Sequence, residues 1–140
     1  MKIFENYKRI GIDFDETLID HGNSALLWDF IQENPYGQEF HIITFRSGGM
    51  EKRVWHDLTN NGSRLTEAHF TKLHACPHEL WLDFHYGNGL ILPPHPYLDW
   101  KATVCADHGI EVLIDDMACM VEEGCKKFGI RYIHPDSLGS

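Results

Sequence analysis

The chain has 140 residues, 43% of them hydrophobic and 24% charged, and its 12 basic against 21 acidic residues leave a formal charge of -9. That length suits one domain with a real core and is short for two, and the balanced composition excludes a disordered or fibrous chain. The acidity disfavours nonspecific attachment to nucleic acid or to an anionic membrane surface.

Residues 9–14 carry Ile10 and Ile12 with little polar interruption and predict a buried strand that runs out at Asp13 and Asp15. Two carboxylates at a strand end are costly unless a cation binds them, so the pair already asks for a metal. Leu26, Leu27, Phe30 and Ile31 then recur at helical spacing, with Asn23 or Ser24 as the cap and Asn34-Pro35 as the stop. Residues 40–45 form a second apolar run, and from Ser47 helical spacing returns through Met50, Val54 and Leu58 until Asn60-Asn61-Gly62 closes it. The stretch 63–96 is the least regular. Within it, residues 80–86 and 90–92 are read as strands around the turn Gly87-Asn88-Gly89, with a short helix as the alternative for 80–86. Leu98, Ala102 and Cys105 share a helical face ended by Gly109, and residues 110–114 form an apolar strand that stops at Asp115-Asp116. Met117, Met120, Val121 and Phe128 mark a last helix, which ends at Gly129 and leads to a strand over 130–133.

Strands alternating with helices imply an α/β fold: one Rossmann-like domain over residues 1–140, with a mainly parallel sheet covered by helices on both faces. Ligands of such sheets bind beyond the carboxyl ends of the strands, where Asp13, Thr44 and Asp115 all fall. Acidic residues spread through the first twenty positions fit neither a secretory leader nor a transit peptide, and no stretch approaches the length of a membrane span. Cys76, Cys105, Cys119 and Cys125 lie without a close pairing motif, so the expectation is reduced thiols in a cytoplasmic protein.

The segments D-F-D-E-T at Asp13 to Thr17, I-I-T-F-R-S-G at Ile42 to Gly48, Lys101, and L-I-D-D at Leu113 to Asp116 resemble the four ordered motifs of the haloacid dehalogenase superfamily of phosphohydrolases. The match spans nearly the whole chain. The resemblance implies a Mg²⁺-dependent phosphatase in which Asp13 is nucleophile and metal ligand, forming an aspartyl-phosphate. Asp15 would serve as general acid and then base while its carbonyl faces the metal. Asp115 would complete the coordination, Asp116 would hold metal-bound water or Lys101, and Thr44 with Lys101 would grip phosphate oxygens. Ser47 and the amides after it could help bind the anion. Arg46 is a further candidate phosphate contact, resembling basic residues near that position in polynucleotide phosphatases of the superfamily; a surface salt bridge is the competing reading. The chain departs from the pattern at Glu16, where many members have glycine, so the turn there must be one that a side-chain-bearing residue can adopt.

Thirty residues separate Asp13 from Thr44 and fifty-six separate Thr44 from Lys101, which leaves no room for a large cap domain. The resemblance implies for such an open site a macromolecular substrate or a partner subunit as lid, so a homo-oligomer is one expectation. A phosphorylated small molecule, either a nucleotide or a sugar phosphate, is the preferred substrate, with nucleic acid entering only through a terminal phosphate. The stretch H-A-C-P-H places His74, Cys76 and His78 two apart and resembles part of the zinc loop of heptose bisphosphate phosphatases in the same superfamily. A structural Zn²⁺ there would need His69, His85 or His95 to complete its ligands, and polar loop histidines beside a buried cysteine are the preferred reading. The alternative function is a noncatalytic metal- or phosphate-binding regulatory module, and a third is phosphoryl transfer to an acceptor other than water.

Overall fold

The computed structural model describes residues 1–87 and 95–139. Five strands form one sheet: β1 (Arg9–Ile12), β2 (Glu39–Thr44), β3 (Lys72–Ala75), β4 (Val112–Ile114) and β5 (Arg131–Ile133). Their order is β3-β2-β1-β4-β5 and every pairing is parallel, with Ile12 flanked by Ile42 and Ile114. Parallel neighbours need crossovers, and five helices are described: α1 (Ser24–Glu33), α2 (Val54–Asn60), α3 (His78–Tyr86), α4 (Pro96–His108) and α5 (Ala118–Phe128).

The alternation of side chains along the strands sorts the core into two layers. Ile10, Ile12, Ile42 and Ile114 pack with Leu27, Phe30 and Ile31 of α1 and Val54 and Leu58 of α2 on one face. Ile43 and Leu113 pack with Ala102 and Cys105 of α4 and Val121 and Cys125 of α5 on the other. The α/β reading therefore holds, with helices on both faces of a parallel sheet. Gly11 shows how closely that second layer lies: a Cβ there would sit 2.9 Å from Ile43 Cδ1 and 3.2 Å from Ile110 Cγ2. Only hydrogen fits.

The irregular middle of the chain departs from expectation. Residues 80–86 belong to helix α3, not a strand; Phe84 is its buried position, while Leu82 and Tyr86 stay exposed, as one-sided packing on α4 requires. Phe84 meets Tyr97 of α4 with ring centroids 4.3 Å apart. The edge strand β3 is not legible in the sequence because Lys-Leu-His-Ala offers only one strongly apolar residue. The expected strand over 90–92 lies outside the described residues. At the start of α1, neither Asn23 nor Ser24 caps by its side chain: Ser24 Oγ donates to the Thr17 carbonyl and Asn23 Nδ2 to that of Pro135, tying the helix to neighbouring loops.

After β1 the chain runs outward to β2 and β3, then returns to the other side of β1 for β4 and β5. The connections leaving β1 and β4 consequently diverge, opening a crevice at the carboxyl ends of those two strands. Asp13 and Asp115 are the first residues beyond them.

Candidate active site

Asp13 follows β1 with its backbone N–H bonded to the Ile114 carbonyl at 2.8 Å, and Asp115 follows β4 with its N–H on the Ile133 carbonyl at 3.2 Å. The ladder thus carries both aspartates to the same depth, and both are buried. From α4, Lys101 reaches between them and donates from Nζ to Asp13 Oδ1 and Asp115 Oδ2, each at 2.7 Å. Its aliphatic stem and ammonium are 99% enclosed, with Nζ 4.4 Å from the centre of the Phe45 ring. Met117 N–H donates to Asp115 Oδ1 at 2.8 Å and Tyr132 Oη–H to the Asp115 carbonyl at 2.7 Å, fixing that residue from three sides.

The turn after Asp13 is tight: residues Phe14–Leu18 wind once, with Glu16 in the left-handed region at φ 58°. This answers the departure at Glu16. The turn does take a left-handed residue, and here it carries a side chain at some conformational cost. It also brings Thr17 Oγ1 to Asp13 Oδ2 at 3.2 Å and to Asp116 Oδ1 at 3.3 Å, so one hydroxyl links the two motifs.

Asp13, Asp115 and Asp116 offer carboxylate oxygens that all lie within 4.8 Å of one another. Burial drives the Asp13 carboxyl well above the ordinary aspartate range; Lys101 pulls it back, and Asp115 and Asp116 push it up again. Burial alone would discharge Lys101, yet Asp13 and Asp115 outweigh it and hold the ammonium above the usual lysine range. Hydrogen bonding and repulsion from Asp116 raise exposed Glu16 as well. Three carboxylates against one ammonium leave the cluster short of positive charge, and the donors are all oxygen. Such a set fits a hard divalent cation such as Mg²⁺ rather than a thiophilic one.

Asp15 stands apart from that group. Its carboxylate is held by Arg46, whose Nε and Nη2 donate to Oδ2 and Oδ1 at 2.9 and 2.8 Å, while Arg46 Nη1 donates to Asp57 at 2.7 Å. These hydrogen bonds to Asp15 outweigh burial and raise Arg46 above its ordinary value. The guanidinium also lies over Phe14, 4.7 Å from the ring centre. Thr44 Oγ1 accepts from the Arg46 N–H at 3.0 Å and is buried, and Ser47 Oγ bonds His78 Nδ1 at 2.9 Å.

Two cavities meet at Asp15. The smaller, about 130 Å³, is lined by Asp13, Asp15, Glu16, Phe45, Lys101, Asp115, Asp116 and Met117. The larger, about 430 Å³, contains Arg46, Ser47 and His78. Of the expected site residues, the fold gathers Asp13, Asp15, Lys101, Asp115 and Asp116 around the first and places Arg46 and Ser47 in the second. Thr44 lines neither. Lys101 is held by Asp13 and Asp115, so the alternative in which Asp116 holds it is corrected: Asp116 meets Thr17 instead. Thr17 and Phe45 lie inside D-F-D-E-T and I-I-T-F-R-S-G, but no spacing marks either as a site residue.

Zinc is unsupported. His74 bonds His41, Cys76 Sγ donates to the Pro77 carbonyl, and His78 bonds Ser47, so three close ligands in sequence point three ways. Among the described residues the aspartate trio is the one metal-sized group. All four cysteines are unpaired. Among the same residues no helix is long and apolar enough to cross a membrane.

No protein-family model matches the chain, and no curated protein matches it in sequence. Two solved structures are similar in fold. An uncharacterised protein from Corynebacterium glutamicum shares 14% identity at a TM-score of 0.55, over 92% of this chain and 85% of its own. The core domain of a candidate phosphoglycolate phosphatase from Streptococcus pneumoniae shares 17% identity at a TM-score of 0.48, over 92% of this chain and 80% of its own. At such identities the first likeness speaks for the α/β fold alone.

Proposed function

We propose that this chain is a Mg²⁺-dependent phosphatase of the haloacid dehalogenase type, hydrolysing a small phosphomonoester through an aspartyl-phosphate on Asp13. The observation that carries the reading is the cluster at the switch point: buried Asp13 and Asp115 and half-buried Asp116 within 4.8 Å, with Lys101 bridging the first two at 2.7 Å. A carboxylate reaches an anionic phosphorus only where fixed positive charge offsets the repulsion, and the cluster supplies one such charge and seats for another.

Asp13, Asp115 and Asp116 would hold the cation, which screens the phosphoryl oxygens when bound. Lys101 pulls the Asp13 carboxyl toward its ionised form against burial and aims it, and it lines the small cavity beside it. An Asp13 oxygen bonds to phosphorus as the ester oxygen departs with a proton from Asp15, which takes that proton from water on leaving its pair with Arg46. Asp15 then takes a proton from water, whose oxygen attacks phosphorus, releasing phosphate and restoring Asp13. Thr17 acts indirectly, tethering Asp13 and Asp116 to one turn. A substrate bound by so acidic a chain is better a small molecule than a polyanion.

Phosphate release from a panel of phosphomonoesters tests the reading, with Mg²⁺ or chelator, for wild type and Asp13→Asn. Turnover should require the metal and fall by at least about a thousandfold in the variant. Metal binding with no turnover of any substrate would replace it with the noncatalytic module.

A further inference from the structure

A general acid stands between the phosphorus and the group that leaves. Asp15 lines both cavities, so the larger one, which Asp13 does not line, is where a leaving group would lie. Its volume, about 430 Å³, is that of a small-ligand site.

The charges around this space are already paired. Arg46 is the cation of the lining, and its guanidinium is committed on both sides: Nε and Nη2 donate to Asp15 Oδ2 and Oδ1 at 2.9 and 2.8 Å, and Nη1 donates to Asp57 Oδ2 at 2.7 Å. Nη1 also reaches the Met50 carbonyl at 3.4 Å, and Phe14 lies 4.7 Å from Cζ across the guanidinium face. One guanidinium between two carboxylates leaves the group short of positive charge. Arg53 comes only to 3.8 Å from Asp57, with its side chain 58% exposed, and is outside the lining. When Asp15 leaves the fork to act as acid, Asp57 still balances Arg46, and the cavity gains no net positive charge. Ser47 Oγ and His78 Nδ1 bond each other at 2.9 Å, and Gly48, Met50 and Trp81 carry no charge. Among the described residues lining the cavity, no cation is therefore left for a second anion, which would instead meet the field of Asp15 and Asp57. An uncharged alcohol meets no such repulsion. Selection of this kind works by what is set against the wrong ligand rather than by a contact to the right one.

Building on the phosphatase reading, we infer that the substrate is a phosphomonoester of an uncharged alcohol, and that Asp57, by balancing Arg46, is the residue that rejects a leaving group bearing a carboxylate or a second phosphate.

The test compares kcat/KM for glycerol 1-phosphate and 3-phosphoglycerate, which differ by a hydroxymethyl against a carboxylate, in wild type, Asp57→Asn and Asp57→Glu. Mg²⁺ is present and the pH is 8, where an ordinary imidazole is uncharged. Calorimetry follows the binding of each ester. Wild type should prefer glycerol phosphate by about tenfold or more, Asp57→Asn should narrow that ratio by about threefold or more, and Asp57→Glu should restore it. The ratio is insensitive to a general loss of folded protein. Equal turnover of the two esters by wild type would overturn the inference and leave the phosphatase standing. So would a preference for phosphoglycerate, the result if its carboxylate took the place of Asp15 on Arg46. A ratio unmoved in Asp57→Asn would overturn the assignment to Asp57. Discrimination in affinity that Asp57→Asn relaxes, without turnover of either ester, would uphold the selection and remove the phosphatase. Neither binding nor turnover of either ester would overturn both.

Discussion

Lys101 is the residue on which the candidate site turns, because it is a fully enclosed cation between two buried anions. Each N–H···O contact of 2.7 Å is charge-assisted, and among the described residues neither aspartate pairs with another cation. Lys101→Met preserves much of the volume but leaves Asp13 and Asp115 without their counter-charge. Breaking a buried pair in this way costs about 3–5 kcal/mol. Urea unfolding at pH 7 in chelator should register that loss, and added Mg²⁺ should recover part of it by neutralising the same oxygens; an unchanged midpoint would show that the bridge contributes no net stability. At this scale the sequence was informative about chemistry and weak about partners. Arg46 was visible as a basic residue after the second motif, with a salt bridge as its bland alternative. It makes two, to Asp15 and Asp57, because α2 presents Asp57 where no sequence spacing could have indicated it.

Between elements, the pairing of β2 with β3 carries a buried histidine contact. His41 Nδ1 and His74 Nε2 lie 3.0 Å apart, and an N–H···N bond between imidazoles needs one of them neutral to accept. Burial, then repulsion from His108 of α4, from His41 and from Lys72, pushes His74 down to about 4. Burial lowers His41 too, against the pull of Glu39, whose carboxylate is 3.7 Å from Nε2 and also pairs with Arg9. A folded pKa below the ordinary histidine value means that the unfolded chain takes up the proton first. Stability is therefore complete above about pH 6.5 and is lost as pH falls toward 4. The loss should amount to about 1–2 kcal/mol once solvent screening is allowed for. Urea midpoints between pH 7 and 4.5 should decline in wild type and flatten in His74→Gln; parallel declines would dismiss the histidine pair as the cause. Strands β1, β2 and β4 lie within two residues of their expected bounds because their apolar runs are buried on both faces, and edge strand β5 does so because Gly129 ends the helix before it. Strand β3 has no counterpart in the sequence reading and helix α3 appears there only as the alternative for 80–86, because each shows the core a single strongly buried side.

For the molecule as a whole, the proposed cation site at Asp13, Asp115 and Asp116 would make folding and cation binding linked equilibria. A cation bound only by the folded state at a hundred times its Kd adds about 2.7 kcal/mol. For a chain of this length that corresponds to a Tm increase of roughly 5–10 °C. Mg²⁺ should produce it in wild type, chelator should reverse it, and Asp115→Asn should abolish it. Sodium chloride at matched ionic strength controls for simple screening of the -9 charge, and an equal rise there would remove the specific site. The linear chain by itself determined the alternation of strands and helices, and with it the parallel sheet and the rim at which Asp13 and Asp115 meet. Those features follow from periodicity and from the geometry of crossovers, both local in the chain. Only the tertiary structure decided that Lys101 enters between the two aspartates, that Asp15 turns to Arg46, that Ser47 serves His78, and that His74 and Cys76 face different neighbours. The contacts of Lys101, Asp15, Ser47 and His74 join residues 14 to 88 positions apart and are set by how helices and strands seat against one another.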